Sequence, residues 1–223
     1  MTAVTSTPPA TVASQSTASL TARLLGCGVA AAPLLLAVTI AQAATRDGFD
    51  PVVHPLSLLS LGDLGWIQIT NFVVSGLLAF AGAVGLRRAY ADGPASKWAP
   101  RLFGVYGIAL VWAGVFVADP AFGYPIGTPD GAPAELSWHG ILHSFAPAGA
   151  GLTLMVACFV IARRFAREGR TAWRVACYIV PVVYTALNAA SFAAADYRWM
   201  LAGGMVIWLW ASAVSLQALR SDR

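Results

Sequence analysis

Charge is what this sequence has least of. Acidic and basic residues together fill 11% of 223 positions, and Lys97 is the only lysine. A soluble domain carries about a quarter charged residues, so a water-facing globule is excluded. With 58% hydrophobic residues and a mean hydropathy of +0.68, the chain reads as an integral membrane protein. Cysteine is scarce too. Cys27, Cys158 and Cys177 all fall near the predicted cytoplasmic ends of spans, which excludes an outer disulfide framework and leaves them to pack as small apolar groups. The 14 basic residues outnumber the 10 acidic ones. Membrane topology accounts for that surplus, and no nucleic-acid partner is expected.

What is there is a series of long apolar runs. Residues 1–22 are rich in Ser, Thr, Ala and Pro and lack aromatics, which predicts a disordered cytoplasmic tail. Residues 23–223 then hold six runs close to the ~20 residues that a spanning helix needs. They are Leu24–Ala43, Gly65–Leu86, Leu102–Ala118, Leu142–Ala162, Trp173–Ala194 and Trp199–Leu219. The third is short and is expected to borrow from the loop before it or from Asp119. The expected fold is all-α: a six-helix transmembrane bundle. The sequence "AQA" at 41–43 resembles a signal-peptidase site. The run before it is long, contains Pro33 and follows a long tail, so the first helix is expected to stay uncleaved.

Twelve of the fourteen basic residues fall in the segments on the side of the amino terminus; only Arg46 and Arg198 lie on the other. The positive-inside rule then predicts that both termini are cytoplasmic. The turn "RRAYADGPASKW" loosely echoes "RRFAREGRTAW", which reflects shared topology rather than a repeat. Alanine-rich, lysine-poor usage points to a bacterial cytoplasmic membrane. Small residues should mediate helix contacts: Gly76, Gly82 and Gly85 in the second span, Gly104, Gly107 and Gly114 in the third, Gly203 and Gly204 in the sixth. They form either packing surfaces inside the bundle or a homodimer seam. Pro33, Pro147 and Pro181 should bend their helices.

Polar groups gather on the other side. Seven of the ten acidic residues lie there, namely Asp47, Asp50, Asp63, Asp119, Asp130, Glu135 and Asp196, together with all three histidines. Gln68, Asn71 and Ser75 share a face in the outer half of the second span; Tyr184, Asn188 and Ser191 do so in the fifth. Polar side chains at membrane depth pair with one another or line a wet cavity. They therefore make either interhelical hydrogen bonds or one outward-opening pocket. His139 and His143 sit one helical turn apart in "SWHGILHSF". With Asp119 and His54 they form a candidate site for a lipid headgroup, a small solute or a divalent metal such as zinc. The alternatives are proton-linked hydrogen bonding or plain solvation. "HGILH" lacks the glutamate of a zinc-peptidase helix, and two histidines on one helix fit haem poorly.

The stretches "HPLSLLSLGDLGWIQITNFVVSGLLAFAGAVGLRR", "GVFVADPAFGYP" and "HGILH" resemble the uncharacterised multi-pass membrane family catalogued as domain of unknown function 998, over most of residues 45–165. The resemblance implies a compact bundle of about six helices. It marks His54, Ser57, Asn71, Asp119, Pro120, Gly140 and His143 as matching positions. Many members flank the Asp-Pro with cysteines; here Ala118 and a Gly-Tyr stretch stand instead, so a thiol or disulfide role is not expected to carry over. No reaction comes with the family. Three function classes stay open: a binding protein for a lipid or small solute, a membrane-embedded metal-dependent hydrolase, and a structural or partner-binding protein without catalysis. A transporter is disfavoured by the apolar inner half of the second span.

Overall fold

The computed structural model describes residues 12–221, with side chains from residue 18 onward. Six helices make up nearly all of it: α1 (Val12–Thr45), α2 (Gly65–Ala89), α3 (Trp98–Val115), α4 (Trp138–Arg167), α5 (Thr171–Ala194) and α6 (Tyr197–Ser221). A short 3-10 helix, Leu56–Ser60, lies between α1 and α2. All six are long and apolar enough to cross a membrane. In hydrocarbon each backbone N–H and C=O needs an internal partner, and a helix supplies one for every residue.

The first and third helices both start ahead of the apolar runs that mark them. α1 starts at Val12, so the helix runs on through residues 12–22; residues 1–11 of the expected tail lie outside the described residues. The stretch is rich in alanine, the best helix former, and elongating an existing helix is far easier than nucleating a new one. Thr21 is also buried, and its hydroxyl accepts a hydrogen bond from Arg88 Nε at 3.2 Å. The third span takes its extra length from the loop before it, beginning at Trp98, and ends before Asp119. Its 18 residues cover about 27 Å, close to the thickness of a bilayer core.

Successive helices are antiparallel neighbours, and α6 closes the ring on α1 while also touching α2 and α4. One end of the bundle, the near end, carries the start of α1, the end of α6 and the α2–α3 and α4–α5 turns. The far end carries the three other connections. The middle is filled by Phe103, Tyr106, Leu154, Cys158, Ile161, Ile207, Trp210 and Val214, all buried. The glycine faces are used within the chain. A Cβ on Gly76 would meet the Gly107 carbonyl, one on Gly107 would meet the Gly76 carbonyl, and one on Gly82 would meet Gly28 Cα. Gly104, Gly114 and Gly203 likewise lie against neighbouring helices, and Gly204 is covered by Trp208 of its own helix, so these glycines serve packing within the chain.

A second, smaller core sits at the far end. Phe49, Leu58, Leu59, Ala121 and Tyr124 are buried together, joining the α1–α2 and α3–α4 connections into a cap. The backbone N–H of Tyr197 donates to the Val52 carbonyl at 2.8 Å and ties α6 to the same cap.

Candidate functional site

Asp119 leaves α3 on an extended segment and turns onto the start of α4. Its side chain is 9% exposed. Ser137, the N-cap of α4, donates its backbone N–H to Asp119 Oδ2 at 2.9 Å and its hydroxyl to Oδ1 at 2.5 Å. The same hydroxyl accepts from the Gly140 N–H, so helix cap and carboxylate form one unit. Gly140 is required there, because a Cβ would collide with the Asp119 carboxylate. A negative charge at a helix N-terminus also favours the macrodipole.

The two histidines of α4 bind the same segment. His139 Nδ1 is 3.0 Å from the Val117 carbonyl, and His143 Nδ1 is 2.6 Å from the Phe116 carbonyl. A carbonyl can only accept, so Nδ1 carries the proton in both rings. His143 is buried, whereas the His139 side chain is 41% exposed and lies 3.9 Å from Asp119 Oδ1. Trp112, Phe116 and Trp138 lie beside them as tilted and edge-on rings, and Trp138 is 69% exposed. Asp119, His139 and His143 therefore do come together.

His54 does not join them. Its Nδ1 accepts from the Asp50 N–H at 2.8 Å and its Nε2 donates to the Phe122 carbonyl at 2.8 Å, which fixes the tautomer. Its ring lies between Phe49 and Tyr124 in the cap core. Both nitrogens are occupied in holding the cap together. Ser57 is half-buried in the neighbouring 3-10 helix.

The two polar helix faces do not share a pocket either. Gln68, Asn71 and Ser75 are buried against α1. Gln42 donates to Gln68 Oε1 at 2.7 Å; Asn71 donates to the Leu35 carbonyl at 3.1 Å and to Thr39 Oγ1 at 3.2 Å; Ser75 donates to Asn71 Oδ1 at 3.4 Å. Arg46 closes the chain at the far end by donating to Gln42 Oε1 at 2.6 Å, to the Leu61 and Leu64 carbonyls and to Tyr124. On α5, Asn188 bonds the Tyr184 carbonyl and Ser191 the Asp196 carbonyl, while the Tyr184 hydroxyl lies over Gly151 of α4. α5 packs on α4 and α6, and α2 on α1 and α3, so the two faces look in different directions. Thr39, Gln42 and Arg46 were missed in the sequence, although their spacing of three and four is the signal that picked out the α2 face.

As a metal centre the arrangement is a poor fit. Both Asp119 oxygens are bound to Ser137, His54 is elsewhere, and among the described residues no group of three or more His, Cys, Asp or Glu is placed to hold an ion. Outside the spans, Asp196 is held below the usual carboxylate range by the Arg198 guanidinium, with Nε at 3.0 Å and Nη2 at 2.7 Å.

Together these features define a polytopic helical membrane protein with a far-end cap bound to its bundle by a serine–aspartate–histidine latch. The particular family follows from comparison with known families. Residues 29–217 match the model described as "Protein of unknown function (DUF998)", and the chain belongs to that family. No curated protein and no solved structure matches it.

Proposed function

We propose that this is a non-catalytic binding protein of the membrane, with both termini cytoplasmic and a capped outer face that takes a lipid headgroup at His139. The twelve-to-two partition of basic residues supports the orientation. The carrying observation is the state of His139. It is half exposed, its Nδ1 is engaged by the Val117 carbonyl, and its Nε2 makes no hydrogen bond among the described residues, beside an exposed tryptophan at the start of a span. Tryptophan at that depth marks the headgroup layer. The adjacent buried Asp119 repels a bare anion, so the headgroup that fits carries a hydroxyl or an ammonium group. The other candidates, His54, His143, Gln68 and Asn71, serve the fold.

The test is a titration of purified protein in neutral detergent with phosphatidylethanolamine, read as the shift of the thermal midpoint. His139→Ala should abolish the shift while leaving the lipid-free midpoint nearly unchanged, as for surface substitutions of within about 0.5 kcal/mol. A full lipid response in His139→Ala would remove this reading.

A further inference from the structure

The arginines of the near end support the orientation proposed for the chain, and the far-end site makes no use of them. The α4–α5 turn, "RRFAREGRTAWR", places five arginines in twelve residues against one acid, Glu168. That acid is already taken. Arg164 Nε lies 2.7 Å from it, with its guanidinium 3.9 Å over the Tyr90 ring and Nη1 on the Asp92 carbonyl. Arg170 lies 3.9 Å from Glu168 and stacks over Phe165 and Trp173. Arg163, Arg167 and Arg174 are left over, and among the described residues none of them has an acidic side chain within 4.0 Å. Arg163 and Arg167 are exposed, four apart on one face of α4.

The surface beneath them is shaped as well as charged. Phe159 lies one turn below Arg163 on α4, and Tyr178 one turn below Arg174 on α5. These two rings meet across the α4–α5 seam with centroids 6.1 Å apart, and they stay 50% and 48% exposed. α5 is also the least covered helix: 17% of its apolar window is buried, against 39% to 56% for the others. Uncompensated guanidiniums on both helices thus stand one helical turn, about 6 Å along the axis, from an exposed aromatic pair. That matches the distance from a lipid phosphate to the first part of its acyl chains. Arg174 also lies in the first turn of α5, where the helix dipole disfavours a cation unless an anion neutralises it.

We propose that the α4–α5 seam holds an anionic phospholipid of the leaflet at the near end. Its phosphate sits on Arg163, Arg167 and Arg174, and its chains lie along Phe159 and Tyr178. The occupant is a lipid, because the aromatic floor is apolar and lies at the depth of the span. Guanidinium forks match phosphate oxygens in pairs, which favours arginine over lysine at such a site.

The full chain in neutral detergent is titrated with phosphatidylglycerol, phosphatidylcholine and inorganic phosphate, and binding is followed as the shift in thermal midpoint. Phosphatidylglycerol alone should raise it. Arg163→Gln/Arg167→Gln should need about thirtyfold more phosphatidylglycerol for half the response. Arg87→Gln/Lys97→Gln, which removes two exposed charges elsewhere at the same end, should respond as the parent does. Phe159→Ala should weaken the response without making phosphatidylcholine effective. An equal loss in the Arg87/Lys97 variant would mean a general basic rim, and an equal response to inorganic phosphate would mean a free-anion site; either overturns the proposal. So would an unchanged response in Arg163→Gln/Arg167→Gln. His139→Ala should leave the phosphatidylglycerol response intact, which separates this seam from the far-end reading.

Discussion

The far end and the near end of this bundle handle charge in opposite ways. At the far end the charged groups that hold the structure together are bonded inward. Asp119 holds Ser137, Arg46 holds two carbonyls with Gln42 and Tyr124, and Arg198 holds Asp196. At the near end Arg163, Arg167 and Arg174 have no acidic partner among the described residues. Removing one partner of a buried, bonded ion leaves its mate stranded, whereas removing a solvated charge changes little. Substitutions that break the buried far-end bonds should therefore damage the fold, whereas removing Arg163 or Arg167 at the near end should damage only binding.

The largest effect is expected at Gly140. Gly140→Ala puts a methyl group where the Asp119 carboxylate lies, so the carboxylate must leave Ser137. Loss of those charge-assisted bonds should cost about 2–3 kcal/mol. Gly26→Ala is the control, because nothing lies within 4 Å of its added Cβ. Thermal unfolding in detergent should show a lowered midpoint for Gly140→Ala alone. Equal midpoints for the two variants would mean that the latch does not hold the fold.

A smaller loss is expected in the α1–α2 seam. Gln68→Leu keeps the size of a fully buried side chain but removes the amide oxygen that Gln42 and Asn71 both donate to. Interhelical hydrogen bonds in membranes are worth about 0.6 kcal/mol on average and seldom exceed about 1.7, so about 1–2 kcal/mol is expected for two partners. Gln68→Glu in place of leucine should do more damage, since it buries a charge. If Gln68→Leu were as stable as the parent, the seam would be incidental rather than structural.

How much of this could be read in advance follows from what each feature depends on. The six spans were legible because lipid permits few backbone solutions and apolar length is visible in a string of letters. The Asp119–His143 cluster was legible because it is local: an Asp-Pro closes one span and Gly140 and His143 open the next. Its partner Ser137 was not singled out, although it stands in the N-cap position before a helix. What could not be read was which helix each polar face meets. Gln68 and Asn71 look the same in sequence whether they face α1 or α5, and that choice belongs to the ring order of the bundle. His54 misled for a related reason: a histidine that bonds Asp50 N–H and the Phe122 carbonyl has the same letter as one that binds a ligand.

The smallest effect sharpens the comparison from its weakest far-end member. Asp196 and Arg198 form a bidentate pair at the α5–α6 connection, with the Arg198 side chain 62% exposed. Exposed pairs contribute little and are screened by salt, so Asp196→Asn should lower the midpoint only slightly at neutral pH. The sign with pH is fixed. The guanidinium lowers the carboxyl pKa in the folded chain, so the contribution is present above the ordinary carboxylate range and is lost as pH falls through the lowered value. The gap between parent and Asp196→Asn should therefore close on acidification and narrow in high salt. A gap that persists or widens in acid would mean that the substitution acts through something other than the charge of Asp196. The far end would then owe less to ion pairing, and its contrast with the near end would rest on Asp119 and Arg46 alone.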